Sequence, residues 1–64
     1  MRQLQYVAER KLRNNVVRYN VAAISLIQAV CLVQKEVQDA RRMGIARNDR
    51  IIGFVDTDGQ VVEF

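Results

Sequence analysis

The chain reads as α+β: a long N-terminal helix over residues 1–43, with any bend or break placed near 14–20, then a C-terminal β-hairpin, assembled as a homo-oligomer. Three observations predict this. Residues 1–43 contain neither Gly nor Pro and are rich in Leu, Ala, Gln, Arg, Glu and Lys, all good helix formers. Gly44 follows "ARRM", where glycine can adopt the left-handed conformation that ends a helix and Arg41 and Arg42 suit its negative end. Finally, "RIIGFVDTDGQVVEF" places β-branched and aromatic runs on both sides of an Asp/Gly turn, the pattern of a hairpin. The expected organisation is one domain: 1–43 helical, 44–50 a basic connector, 51–64 the hairpin.

Within the helical segment, Lys35–Asp39 and Asp39–Arg42 are opposite charges at helical spacing, which adds weak support. Asn14, Asn15 and Asn20 are the candidate caps for a second helix. None has Glu or Gln three residues on, so the uninterrupted helix is preferred. Such a helix would be about 63 Å long, whereas a compact chain of this size has a radius of gyration near 11 Å. It must therefore break or find partners along its length.

Periodicity favours partners. Leu12, Val16, Tyr19, Ala23, Leu26, Val30, Val33, Val37 and Ala40 alternate at spacings of four and three, the seam of a left-handed helical packing. These nine residues form the expected oligomer interface. A second apolar set, Val17, Val21, Ile24, Cys31 and Leu32, lies off the seam and requires cover of its own.

The hairpin supplies that cover. Thr57-Asp58 are placed in the turn with Gly59 left-handed, so that Asp56 pairs with Gln60, Val55 with Val61, Phe54 with Val62 and Ile52 with Phe64. The face bearing Ile52, Phe54, Val62 and Phe64 is then expected against Val17, Ile24 and Cys31.

The apolar run "VAAISLIQAVCLV", residues 21–33, would be roughly 20 Å of helix. That is short for a hydrocarbon core of about 30 Å. No small-residue cleavage site follows it, so no membrane association is expected and a cytoplasmic location is preferred. Cys31 is the only cysteine and histidine is absent, which leaves no intrachain disulfide and no zinc site. No metal or cofactor is expected.

Catalysis has few candidate groups. General acid–base work lacks a histidine, and Asp56 and Asp58 fall on a turn where Asp is common for conformational reasons. The net charge is +3 and unevenly spread. Residues 1–20 carry five Lys/Arg against Glu9, and residues 41–50 carry four Arg against Asp49. The expected function is a small non-enzymatic, homo-oligomeric binding or regulatory protein. It would act through a protein partner or a small anionic ligand at subunit junctions walled by Arg41, Arg42, Arg47 and Arg50, since Arg forks match anionic oxygens. The alternative is an oligomer that binds nucleic acid without sequence preference, through Arg2, Arg10, Lys11, Arg13 and Arg18 on the N-terminal helix.

Overall fold

A computed structural model describes residues 2–64; Met1, the first residue of the expected helix, lies outside them. From Leu4 to Ala23 the chain is a β-hairpin, not a helix. Strand β1 (Leu4–Lys11) pairs antiparallel with β2 (Val16–Ala23), from Leu4 opposite Ala23 to Lys11 opposite Val16. The Leu12 amide donates to the Asn15 carbonyl at 2.8 Å, and Asn15 Oδ1 accepts from the Val16 amide at 2.8 Å. The two asparagines therefore mark a strand turn. Along β2, Val17, Tyr19, Val21 and Ala23 alternate with Arg18, Asn20 and Ala22, a period of two that suits a half-covered strand.

The helix begins only at Leu26. Helix α1 (Leu26–Arg42) has Ser25 as its N-cap, with Ser25 Oγ accepting from the Gln28 amide at 3.1 Å. Gln28 Oε1 reaches back to accept from the Ile24 amide at 2.7 Å. Ser25-Leu26-Ile27-Gln28 is thus a close variant of a capping box. At the far end Gly44 has φ +79°, Ile45 N–H donates to the Ala40 carbonyl and Gly44 N–H to the Arg41 carbonyl. This is a Schellman motif, and it places the helix stop where the sequence indicates.

Strands β3 (Asp49–Val55) and β4 (Val61–Glu63) form the C-terminal hairpin. The pairs Val55–Val61 and Phe54–Val62 are those expected from the turn, with Asp56 N–H donating to Gln60 O and Gly59 at φ +80°. Asp49 and Arg50 belong to β3 and not to a connector ending at residue 50. Strand β3 also pairs with β1, giving a four-stranded antiparallel sheet of order β2-β1-β3-β4. The architecture is α+β, but as a hairpin, one helix and a second hairpin, with a single 17-residue helix instead of the long one expected.

Helix α1 carries the chain from β2 over β1 to β3, so β2 and β3 run parallel with β1 between them. At about 26 Å, the helix matches the length of an eight-residue strand. It buries Ala29, Val33, Val37 and Ala40 against the sheet. Tyr6, Ala8 and Ala23 meet them from the first hairpin, and Ile51 and Phe54 pack from β3. Residues 51 and 54 share that face because the β1–β3 register slips between Val7 and Ala8, which leaves Ile52 unpaired. Ile52 is therefore not the companion of Phe54 that simple alternation predicts. Cys31 is exposed, Val17 and Ile24 are 40% and 42% exposed, and neither belongs to the core clusters that Ile51 and Phe54 join, so the hairpin does not pack on that set.

The helical seam is overturned with the long helix. Leu12, Val16, Tyr19 and Ala23 lie in the first hairpin and its turn. Val33, Val37 and Ala40 are indeed on the apolar face of a helix, but they cover this chain's own sheet. Leu26 and Val30 line a groove beside β3. The residues of zero exposure are Ala8, Ala23 and Ala29, small side chains where helix and sheet approach closely. The core is shallow: Ile27, Met43 and Phe64 remain 77%, 76% and 68% exposed.

On the opposite face, Arg18 of β2 lies 3.0 Å from Glu63 of β4 and 3.6 Å from Glu9 of β1. Strands three places apart are separated by roughly 14 Å in a flat sheet, so this contact reports a sheet curled over Val7, which is 3% exposed.

Candidate functional site

At the end of the sheet where β1 finishes, Asp49 points toward the helix layer with no side-chain exposure. Arg47, two residues earlier and on the same side, donates to Asp49 Oδ2 from Nε at 3.0 Å and from Nη2 at 2.9 Å. The same Nη2 lies 3.1 Å from Glu36 Oε2 on α1. Arg10 Nε sits 3.4 Å from Asp49, and its guanidinium lies 5.4 Å from the centre of the Tyr19 ring. The Tyr19 hydroxyl also donates to Asp49 Oδ2. Asp49 Oδ1 is buried and accepts no hydrogen bond.

Burial pushes the Asp49 carboxyl up, but hydrogen bonds from Arg47 and Tyr19 and the charges of Arg47 and Arg10 outweigh it and hold the group below its ordinary value. Burial, followed by the hydrogen bond to Asp49, raises the Tyr19 hydroxyl. Arg47 is raised chiefly by its hydrogen bond to Asp49. The cluster is a clamp that joins β1, β2, β3 and α1 through one carboxylate.

The clamp forms one wall of a cleft of about 690 Å³, lined by Lys11, Leu12, Arg13, Arg41, Ala46, Arg47 and Asn48. Its shape follows from pairing. The Lys11 amide donates to the Asn48 carbonyl at 3.2 Å, so the tip of the first hairpin projects beside the loop that leaves α1. Arg41 comes from the last turn of the helix. Two sets of basic residues that are separate in sequence, Lys11 with Arg13 and Arg41 with Arg47, are brought together here.

Charge pairing makes this cleft distinctive. Arg10 and Arg47 are balanced by Asp49 and Glu36, Arg18 and Arg50 by Glu9 and Glu63, and Arg42 by Asp39. Among the described residues this leaves Arg2, Lys11, Arg13, Lys35 and Arg41 without ion pairs, against Asp56 and Asp58, which accounts for the +3 charge. Three of the five unpaired cations line one cleft. Asp56 and Asp58 sit at the other end of the sheet, where Asp56 Oδ1 accepts from the Asp58 and Gln60 amides at 2.9 Å each.

The expected four-arginine pocket does not assemble. Arg41 and Arg47 reach the cleft, whereas Arg42 pairs with Asp39 at 3.8 Å on the helix and Arg50 lies 3.9 Å from Glu9 on the opposite sheet face. Nor is there a basic N-terminal helix. Arg2 precedes β1, Arg10 is drawn into the clamp and Arg18 is tied across the curled face. Lys11 and Arg13 alone of that group line the cleft. Charge pattern alone does not distinguish Asp49 or Asn48 in the sequence. The signal for Asp49 is local: Arg47 and Asp49 stand two apart, on one face of any extended segment.

Chemically, the cleft offers flexible cations on an open polar surface. No group of three or more Cys, Asp or Glu side chains able to hold a metal occurs among the described residues, and no helix of the structure is long and apolar enough to cross a membrane. No protein-family model, curated protein or solved structure matches the chain.

Proposed function

We propose that this chain is a non-enzymatic binding protein that engages the phosphate backbone of nucleic acid at the basic cleft, without reading sequence. The observation that carries this is the convergence of Lys11, Arg13 and Arg41, all without ion pairs, in one open cleft. Unpaired Lys and Arg on an accessible surface attract phosphates through charge and release condensed counterions. The width and openness of the cleft favour an extended polyanion over a small ligand, which needs an enclosing cavity with converging polar groups. The acidic turn at the opposite end of the sheet adds direction, because it repels a polyanion there. A cytoplasmic location fits this reading, since the exposed Cys31 stays reduced in that compartment.

The test is binding of a labelled oligonucleotide, followed by anisotropy over a range of salt. Affinity is expected to fall with salt, with a logarithmic slope near −0.9 per phosphate contact on duplex DNA. Replacing Lys11, Arg13 and Arg41 with Gln should weaken binding equally for unrelated sequences and flatten that slope by two to three such steps. Circular dichroism would show the fold retained, because none of the three takes part in the clamp. Equal binding by the triple variant, or none by the parent chain at low salt, overturns the reading.

A further inference from the structure

Strand β2 is the outer strand of the sheet and, at eight residues, its long free edge; the other edge, β4, has three. Leu12 and Asn15 form a hydrogen-bonded pair at the hairpin tip, so alternation along the register makes Val17, Tyr19, Val21 and Ala23 the residues bonded to β1. The amides and carbonyls of Val16, Arg18, Asn20 and Ala22 therefore point away from the sheet. Edges of this kind are normally blunted by Pro, bulges, shortness or charge. This strand has no proline and its register with β1 is unbroken. Its one charge, Arg18, is drawn over the opposite face by Glu9 and Glu63.

We infer that β2 is a self-association edge, pairing antiparallel with β2 of a second copy about a two-fold axis at Tyr19. The choice of a second copy rests on the strand's own symmetry. From Val16 to Ala22 it reads apolar, apolar, polar, Tyr, polar, apolar, apolar. A two-fold interface joins a surface to itself, so it requires this kind of self-complementarity. With Tyr19 on the axis, Val17 lies opposite the second copy's Val21, Arg18 opposite its Asn20 and Val16 opposite its Ala22. No like charges stand directly opposite, and the outward amides of Arg18, Asn20 and Ala22 each face a carbonyl, while that of Val16 already donates to Asn15 Oδ1. A groove of about 260 Å³ runs along this edge between Tyr19–Ala22 and Leu32, Val33 and Glu36 of α1, and Leu32 is 42% exposed there.

The result is one eight-stranded sheet with both helices on the same face, and a basic cleft at each end. It covers apolar surface that the shallow core leaves open. An edge about 26 Å long on a body 14 Å thick gives on the order of 400 Å² of contact per chain, the size of a transient association and not a permanent one. The inference does not depend on nucleic-acid binding.

Light scattering over a dilution series, with amide hydrogen exchange at the concentrated end, tests it. The mass is expected to move from 7.4 kDa toward twice that value on concentration. The Arg18, Asn20 and Ala22 amides should then exchange at least tenfold more slowly than in dilute solution, where nothing in the monomer protects them. A variant with Val17→Lys and Val21→Lys should stay monomeric, as should one with Val17→Glu and Val21→Glu, while their mixture restores the dimer. A constant 7.4 kDa mass at high concentration overturns the inference. So does a dimer whose Arg18 and Asn20 amides exchange freely, since another surface would then be in use. The exchange measurement needs no variant and stands even if the substituted chains fail to fold.

Discussion

The Tyr19 hydroxyl donates a hydrogen bond to the Asp49 carboxylate, thirty residues later in the chain and two strands away in the sheet. Together with Arg47 and Arg10 it makes Asp49 the point where both hairpins and the helix are tied. A carboxylate without exposure costs several kcal/mol to desolvate, and such a group is retained only where charge and hydrogen bonds offset that cost.

Removing partners of Asp49 should therefore be more damaging than their surface location implies. Tyr19→Phe is expected to cost about 1.5–3 kcal/mol, the worth of a hydrogen bond to a charged group. Arg47→Ala should cost more than Tyr19→Phe, because it removes two charge-assisted hydrogen bonds at once and leaves Arg10 as the one cation beside Asp49. The double variant should fall short of additivity, since both act on one carboxylate. Urea denaturation of the three variants measures each value.

Acid should unfold the chain partly through the same group. The folded pKa of Asp49 lies below its unfolded value, so its contribution is fully present above about pH 4 and is lost as pH falls through the depressed folded value. Tyr19 acts in the opposite sense. Its folded pKa is raised, so its contribution is present below about pH 10 and is lost as pH rises through the folded value. Stability–pH profiles should show a flatter acid limb for Asp49→Asn and a flatter alkaline limb for Tyr19→Phe.

Two glycines should respond differently to alanine. At Gly53 a Cβ would stand 2.2 Å from the Val62 carbonyl oxygen and 3.0 Å from Glu63 Cα, so β4 must move. Gly53→Ala is expected to cost about 1–3 kcal/mol and to expose the Phe64 amide, which donates to Ile52 O at 2.9 Å. Gly44→Ala meets no atom within 4 Å and should cost only about 1–2 kcal/mol for its left-handed backbone. Hydrogen exchange at Phe64 separates the two effects.

Capping should be measurable at the helix start. Ser25→Ala is expected to destabilise by about 1 kcal/mol, and Gln28→Ala by less. Ser25→Asp should match or exceed the parent in thermal melts, because α1 has no acidic residue in its first turn to meet the positive end of its dipole.

The features legible in the sequence are those set by neighbours along the chain. Gly44 after Arg41 and Arg42 marks the helix stop, and Thr57-Asp58-Gly59 sets the register of Val55 with Val61, because each depends on a few consecutive dihedrals. Ser25 and Gln28 also mark the helix start locally, although a long heptad pattern masks them. Residues 4–23 were decided otherwise. Val16, Tyr19 and Ala23 fit a helical seam, yet Tyr19 and Ala23, with Val17 and Val21, fit a strand equally well. Helix propensities differ by only tenths of a kcal/mol per residue, so pairing of β1 with β3 and cover by α1 outweigh them. The basic cleft depends on the same decision. Lys11 and Arg13 meet Arg41 only because β1 zips to β3 as far as Asn48, a long-range contact that neither charge nor local spacing encodes.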